Sequence, residues 1–198
     1  MKSFLTMALI LTTTFSAVAS DKPMAATYTI DNAATSIKWI GKKVLGEHSG
    51  NVAAKTGFLT VSGDIISAGE ISVDMNTITC TDIPATDEYN GKLVGHLKSP
   101  DFFNVGKFPE AKLVIKGSEK TKKGLKIKGE LTFIGKTNPI EFEAAVNNTN
   151  GVLTAKSDVV LDRTKWDLKY GSEDFFKGLG DKAIKNEFTL SISLSAKK

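Results

Sequence analysis

The sequence predicts an all-β protein, an eight-stranded antiparallel β-barrel with short helical plug segments at one mouth. Two observations carry this. Runs of alternating apolar and polar residues follow one another from Ser36 almost to the C-terminus, each with one apolar face. Two segments, residues 77–108 and 162–186, break the alternation and are rich in aromatic residues. Two packed sheets or a closed barrel would both satisfy such a pattern. Several strands reach about ten residues, long for a small sandwich, and eight strands close into a barrel just wide enough for one small ligand.

The chain has 198 residues, and residues 1–19 read as a secretory signal peptide. Lys2 is positive, residues 4–15 are apolar, and Ala17-Val18-Ala19 is an A-x-A cleavage site. The apolar run is too short to span a bilayer. Ser20 follows the site, not the Cys that acylation needs, so a soluble periplasmic product without a lipid anchor is expected. Residues 20–198 then form one domain.

Residues 27–31 are a short strand and 32–35 a turn. Residues 36–46 are a long strand with Ile37 and Trp39 on one face and Lys38 on the other. Residues 52–56 read as a local turn. Residues 57–62 and 65–75 form a hairpin across Gly63-Asp64, with Phe58 facing inward. Ser99-Pro100-Asp101 then reads as a helix start: an N-cap, a proline at the first helical position, and an acid near the positive end of the dipole. The turn it opens carries Phe102 and Phe103, and Phe108-Pro109 forces extended backbone into the next strand. A non-strand connection this long inside a β domain is usually a lid or binding loop.

Four strands follow quickly. Ala111, Leu113 and Ile115 share a face; Leu125, Ile127, Gly129, Leu131 and Phe133 share the next. Ile140, Phe142, Ala144 and Val146 come third. Asn150-Gly151 is a type I′ hairpin signal leading to Leu153, Ala155, Ser157, Val159 and Leu161. Small Gly129, Ala144, Ala155 and Ser157 are expected to leave room inside, and Phe133 and Phe142 to narrow it. Arg163, Trp166, Tyr170, Phe175 and Phe176 lie in the second interruption. There Ser172-Glu173-Asp174-Phe175-Phe176 echoes Ser99-Pro100-Asp101-Phe102-Phe103. Each reads as a capped turn whose two rings seal an apolar opening. The last strand carries Phe188, Leu190, Ile192 and Leu194.

Composition excludes several functions. A net charge of +4 is too mild for nucleic-acid binding. Lys116, Lys120, Lys122, Lys123, Lys126 and Lys128 gather at one hairpin, read as a solvated tip or as a contact for anionic headgroups. Cys80 is the only cysteine, so it reads as a small buried hydrophobe. His48 and His96, the two histidines, have no metal-ligand spacing. His96 reads as a hydrogen-bonding structural residue or a headgroup contact. Residues 46–50 lack the nucleophile elbow of esterases, and Gly178-x-Gly180 opens no phosphate loop. Arg163 reads as a surface residue paired with Asp162 or Asp167, or as a headgroup contact. No catalytic set, metal or cofactor is expected.

With Tyr28-x-Ile30-Asp31, Ile37-x-Trp39, Val73-Asp74-Met75 and the run HLKSPDFF…KFPEA from His96 to Ala111, the chain resembles the YceI-like family. The resemblance implies an exported bacterial protein with a lipocalin-like barrel that holds a long isoprenoid lipid or a quinone-like amphiphile. By position it assigns ligand enclosure to His96, Leu97, Phe102 and Phe103, and less directly to Trp39. The expected ligand-binding set is therefore Trp39, Phe58, His96, Leu97, Phe102, Phe103, Phe133, Phe142, Arg163, Trp166, Tyr170, Phe175 and Phe176. The expected partner is the lipid, with transient contact to a membrane surface. A ligand-free structural barrel and a lipid-modifying enzyme are the alternatives.

Overall fold

The computed structural model describes residues 24–198; the expected signal segment lies outside them. The strands are β1 (Ala25–Ile30), β2 (Ser36–Lys43), β3 (Glu47–Ser62), β4 (Ile65–Asp74), β5 (Glu110–Thr121), β6 (Gly124–Phe133), β7 (Lys136–Thr149), β8 (Val152–Asp162) and β9 (Ile184–Lys197), with one α-helix, α1 (Glu88–Lys98). All pairings are antiparallel. The order runs β3-β2-β9-β8-β7-β6-β5-β4, and β4 pairs back onto β3, so eight staves close into a barrel. β1 adds no stave. It pairs with the end of β3 and touches β9, continuing the line of β2 across a 3-10 turn (Asn32–Ala34) that the Asp31 side chain caps.

The expected turn at residues 52–56 is absent. These residues lie inside β3, with Val52 and Ala54 buried and Ala53 and Lys55 exposed. The chain reverses earlier, at residues 44–46, where Gly46 takes φ +86°. Asn150-Gly151 does form the expected turn, with φ of 52° and 78°, the left-handed pair that matches strand twist.

The two ends of the barrel differ. At one end the strands join by short turns and the interior is filled. Leu59, Ile127, Leu153 and Ala196 are at most 2% exposed there, and each of the three large aliphatic side chains is worth roughly 1.5–3 kcal/mol of burial. The Tyr28 hydroxyl accepts a hydrogen bond from Asn148 Nδ2 at 2.8 Å. At the other end lie the connection from β4 to β5, which carries α1, and the connection from β8 to β9. The small residues expected to make space do not border the space in the open half. Ala144 is 4% exposed within the filled half, a Cβ on Gly129 would lie 2.6 Å from the Val114 carbonyl oxygen, and Ser157 Oγ donates to the Glu143 carbonyl at 2.5 Å.

The ladder between β7 and β8 is broken over most of its length, leaving a seam, and that between β4 and β5 stops at Gly69↔Ile115, with the Ser118 side chain bridging to Ile66 below it. β7 and β8 pair only from Ala145↔Lys156 to Thr149↔Val152, and above that point no ladder pair joins them among the described residues. Side chains bridge instead: Ser157 to Glu143, and Asn138 Nδ2 to the Lys165 carbonyl at 3.0 Å. Backbone amides without ladder partners open locally at low cost. Hydrogen exchange should therefore be faster at seam-facing amides of residues 140–143 and 158–161 than along β6, which is paired on both edges. Equal protection in both regions would contradict the seam.

Candidate functional site

The open half of the barrel encloses a cavity of about 520 Å³, a size typical of small-molecule sites. Its wall follows from strand alternation: Ile37 and Trp39, Ile71 and Val73, Leu131 and Phe133, Ile140 and Phe142, Val159 and Leu161, Leu190 and Ile192. Exposed Lys42, Lys43 and Lys182 belong to the same lining, so the cavity opens at this end.

One side is formed by the chain that follows β4. Asp74 caps a 3-10 turn (Met75–Thr77), accepting from Asn76 N at 3.0 Å. The backbone then runs along the free edge of β3: Thr79 N donates to the Asn51 carbonyl at 2.9 Å and Thr81 N to that of Ser49 at 2.8 Å. Gly50 permits this approach, because a Cβ there would lie 1.7 Å from the Thr79 carbonyl oxygen. Trp39 Nε1 donates to that same oxygen at 3.0 Å, so the indole both lines the cavity and pins the strap.

Asp82 locks the strap's end. Its carboxylate accepts from Ser49 N at 2.7 Å, His48 Nδ1 at 2.8 Å and Cys80 Sγ at 3.3 Å. Burial alone would raise this carboxyl, but the hydrogen bonds outweigh it and bring its pKa down to about 2. Cys80 is 7% exposed and burial pushes its thiol up, which leaves it protonated and inert, in keeping with a small buried hydrophobe.

The helix begins earlier than expected. Asp87 is the N-cap of α1, accepting from Tyr89 N at 2.9 Å, and Leu93, His96 and Leu97 line the cavity from one face. Ser99 ends this helix as its C-cap, while its Oγ accepts from Asp101 N at 3.3 Å to start the next turn. That turn delivers Phe102 and Phe103, whose centroids lie 4.9 Å apart; Phe103 packs 5.3 Å from Phe133. The His96 ring meets Tyr170 at 4.6 Å and Phe102 at 5.8 Å. Its nitrogens have no hydrogen-bond partner among the described residues, contrary to the structural bonding role expected for it.

Arg163 is also corrected. It is 3% exposed and pairs with neither expected carboxylate: Asp162 caps Thr164, and Asp167 binds Lys136 and Lys169. The guanidinium donates to the carbonyls of Lys185 (3.1 Å), Leu168 (2.6 Å) and Ile184 (3.0 Å), and burial lowers its pKa. These bonds use three of its five N–H groups, and Arg163 lines the cavity with the Phe102 ring 5.9 Å away.

The lining thus brings together Trp39, His96, Leu97, Phe102, Phe103, Phe133, Phe142, Arg163 and Tyr170. It does not include the other four. Phe58 is 41% exposed on the outer wall, where the bulged register of β3 against β4 turns it outward. Trp166 is buried behind Phe133, its indole N–H on the Leu131 carbonyl at 3.0 Å. Phe175 and Phe176 are 48% and 49% exposed. Their turn matches the first only in part. Phe175 N and Phe176 N reach the Ser172 carbonyl at 3.1 and 2.9 Å, where Phe103 N reaches that of Leu97. The Ser172 hydroxyl makes none of the capping bonds expected of it among the described residues, and the rings face solvent. The strap residues Thr79 and Asp82 went unread in the sequence, since their partners lie about thirty positions away and no local pattern marks them.

A family model described as the YceI-like domain matches residues 28–196. By sequence the chain is similar to a UPF0312 protein of Vibrio parahaemolyticus, 33% identical over 102 residues, 49% of this chain and 52% of that protein. It is also similar to a UPF0312 protein of Pseudomonas putida, 36% identical over 81 residues, 40% of this chain and 39% of that one. The chain thus spans about half the length, or less, of these relatives. Two solved structures share the fold. Burkholderia cenocepacia BcnA matches with a TM-score of 0.65 at 14% identity, covering 85% of this chain and 99% of that one. A polyisoprenoid binding domain from Saccharophagus degradans matches with a TM-score of 0.63 at 12% identity, covering 86% and 97%.

The Asp82 lock makes a testable claim. Its folded pKa lies below the ordinary 3.8, so its stabilisation is fully present above that pH and is lost as pH falls towards 2. At neutral pH, Asp82→Asn should lower the unfolding free energy by about 1 kcal/mol once solvent screening is allowed for. Urea titrations across acid pH should show the deficit closing. A deficit that persists unchanged in acid would contradict the lock.

Proposed function

This chain belongs to the YceI-like family, and from that premise we propose that it is a binding and carrier protein for a long isoprenoid lipid, held in the open half of the barrel. The observation that carries this is the cavity itself: about 520 Å³, walled by aliphatic and aromatic side chains and open at one end. Each methylene moved from water into such a space is worth roughly 0.8 kcal/mol. An isoprenoid tail therefore binds without a charged anchor, even after its ordering cost.

The polar groups suit a small head. Arg163, the His96 ring and Tyr170 gather beside the plug. A quinone-like or other oxygen-bearing headgroup would find polar partners there. The reading is one of binding, not turnover, and rests on this apolar lining. The carrier works in the periplasm, on the strength of the A-x-A pattern at Ala17-Val18-Ala19. N-terminal sequencing of periplasmic material should begin close to Ser20; Met1 retained in the mature protein would refute the export.

Native mass spectrometry of the purified protein, followed by solvent extraction, tests the ligand directly. Filling the cavity tests its place. Val73 and Val159 line the void, so Val73→Phe and Val159→Phe each add bulk where space exists. Displacing two or three methylenes of a bound tail should weaken retention of solanesol, a long isoprenoid alcohol, roughly ten- to fifty-fold. Thermal melts would check that the variants still fold. Undiminished retention in folded variants would put the ligand outside the barrel.

A further inference from the structure

Large apolar side chains left in solvent concentrate around the open end. Leu45 is 68% exposed and Val44 42%, on the turn between β2 and β3; Phe175 and Phe176, about half exposed, tip the turn in the β8–β9 connection. Both turns are tied to one short stretch of chain. Val44 N donates to the Ala183 carbonyl at 3.1 Å, the Gly171 carbonyl accepts from Ile184 N at 2.8 Å, and Asn186 Nδ2 donates to Asp174 at 2.6 Å. The tips therefore flank the mouth whose inner wall is apolar, and the apolar surface runs from inside the cavity to outside the rim. Exposed apolar clusters of this kind mark interaction sites.

Charge separates this end from the other. The lysines at the hairpin of β5 and β6 are largely matched: Lys116 with Glu130, Lys120 with Asp64, Lys126 with Glu141, Lys128 with Glu119. That end reads as a solvated tip. At the open end Lys43, Lys177, Lys182 and Lys185 have no ion-pair partner among the described residues, and Lys169 Nζ lies 4.9 Å over the Phe175 ring. Unmatched cations interleaved with exposed aromatic and aliphatic tips form the chemistry of a surface that lies on a lipid interface.

We infer that the open end docks onto the surface of a lipid bilayer through Val44, Leu45, Phe175 and Phe176, with the free lysines meeting anionic headgroups. This rests on the carrier reading. A lipid too apolar to travel as a monomer in water must pass between bilayer and cavity across a rim that keeps it covered, and this rim is the apolar edge of the cavity. Glu173 and Asp181 share the same turns, so the apolar tips lead the binding and the headgroup attraction assists it.

The test is cosedimentation of the purified protein with vesicles of phosphatidylethanolamine and phosphatidylglycerol, with solanesol uptake from ethanol measured separately by native mass spectrometry. Leu45→Ser, Phe175→Ser and Phe176→Ser combined should weaken vesicle binding on the order of tenfold or more and leave uptake unchanged, since none of the three lines the cavity. Lys122→Glu with Lys123→Glu, at the opposite end, should leave vesicle binding intact. Docking is overturned if the wild type stays in the supernatant, or if the triple variant binds vesicles as well as the wild type. It is equally overturned if the triple variant's only effect is to split a dimer of this chain. A wild type that binds vesicles through the tips but takes up no solanesol would remove the carrier reading and support the docking.

Discussion

β3 carries more partners than any other strand, and the barrel closes through it. One of its edges takes β2 and then β1; the other takes β4 and then the strap at residues 79–82. A sheet that closes has no free edge to expose, and β3 satisfies this only by extending from Glu47 to Ser62. Where β4 ends, the strap takes up the hydrogen bonds that would otherwise be orphaned. Gly50 is the point of closest approach, and any Cβ there would collide with the strap's backbone. The position of the plug over the cavity thus follows from how β3 completes its ladder.

The division of the interior into a filled half and a hollow half is the second consequence. At the filled end large aliphatic side chains from opposite staves meet, so the space is used up by packing near interior density. At the open end the inward side chains stop short of one another, and the plug contributes rings in place of strand residues. Phe102 and Phe103 close over the void because the backbone that bears them is tethered on both sides. The strap holds it to β3, and α1 with Ser99 holds the turn itself. Polar bonds fix the plug, while its contacts with the cavity are ring against ring, an arrangement that leaves the apolar lining continuous.

Much of this was legible from local pattern. Period-two alternation placed Ile37 and Trp39, Leu131 and Phe133, and Val159 and Leu161 on inward faces, because a pleated strand leaves no other choice. Pro109 and Asn150-Gly151 act through their own backbones and were read where they act. Two elements were misread for physical reasons. Val52-Ala53-Ala54-Lys55 alternates, but alanine is too small to mark a buried face strongly, so strand looked like turn. α1 has its Asp87 cap and the spacing Leu93, His96, Leu97, yet Gly91 and Gly95 depress its helix propensity and drew attention to the Ser99 cap downstream.

The sequence by itself determined most of the strands and their inward faces, the two aromatic interruptions and the family resemblance, since each depends on neighbours within a few residues. The middle of β3 and the outward turn of Phe58 were exceptions. Only the tertiary structure decided which inward residues meet another side chain and which border empty space. That depends on the stagger of strands far apart in the chain, and it put Ala144 in the filled half and Val159 on the cavity. Tertiary context also separated the two Ser-x-Asp-Phe-Phe segments, alike in sequence, into rings that face the void and rings that face solvent. Arg163 shows the same limit. Its burial and its carbonyl partners come from Leu168, Ile184 and Lys185 folding around it, an enclosure that no local pattern encodes.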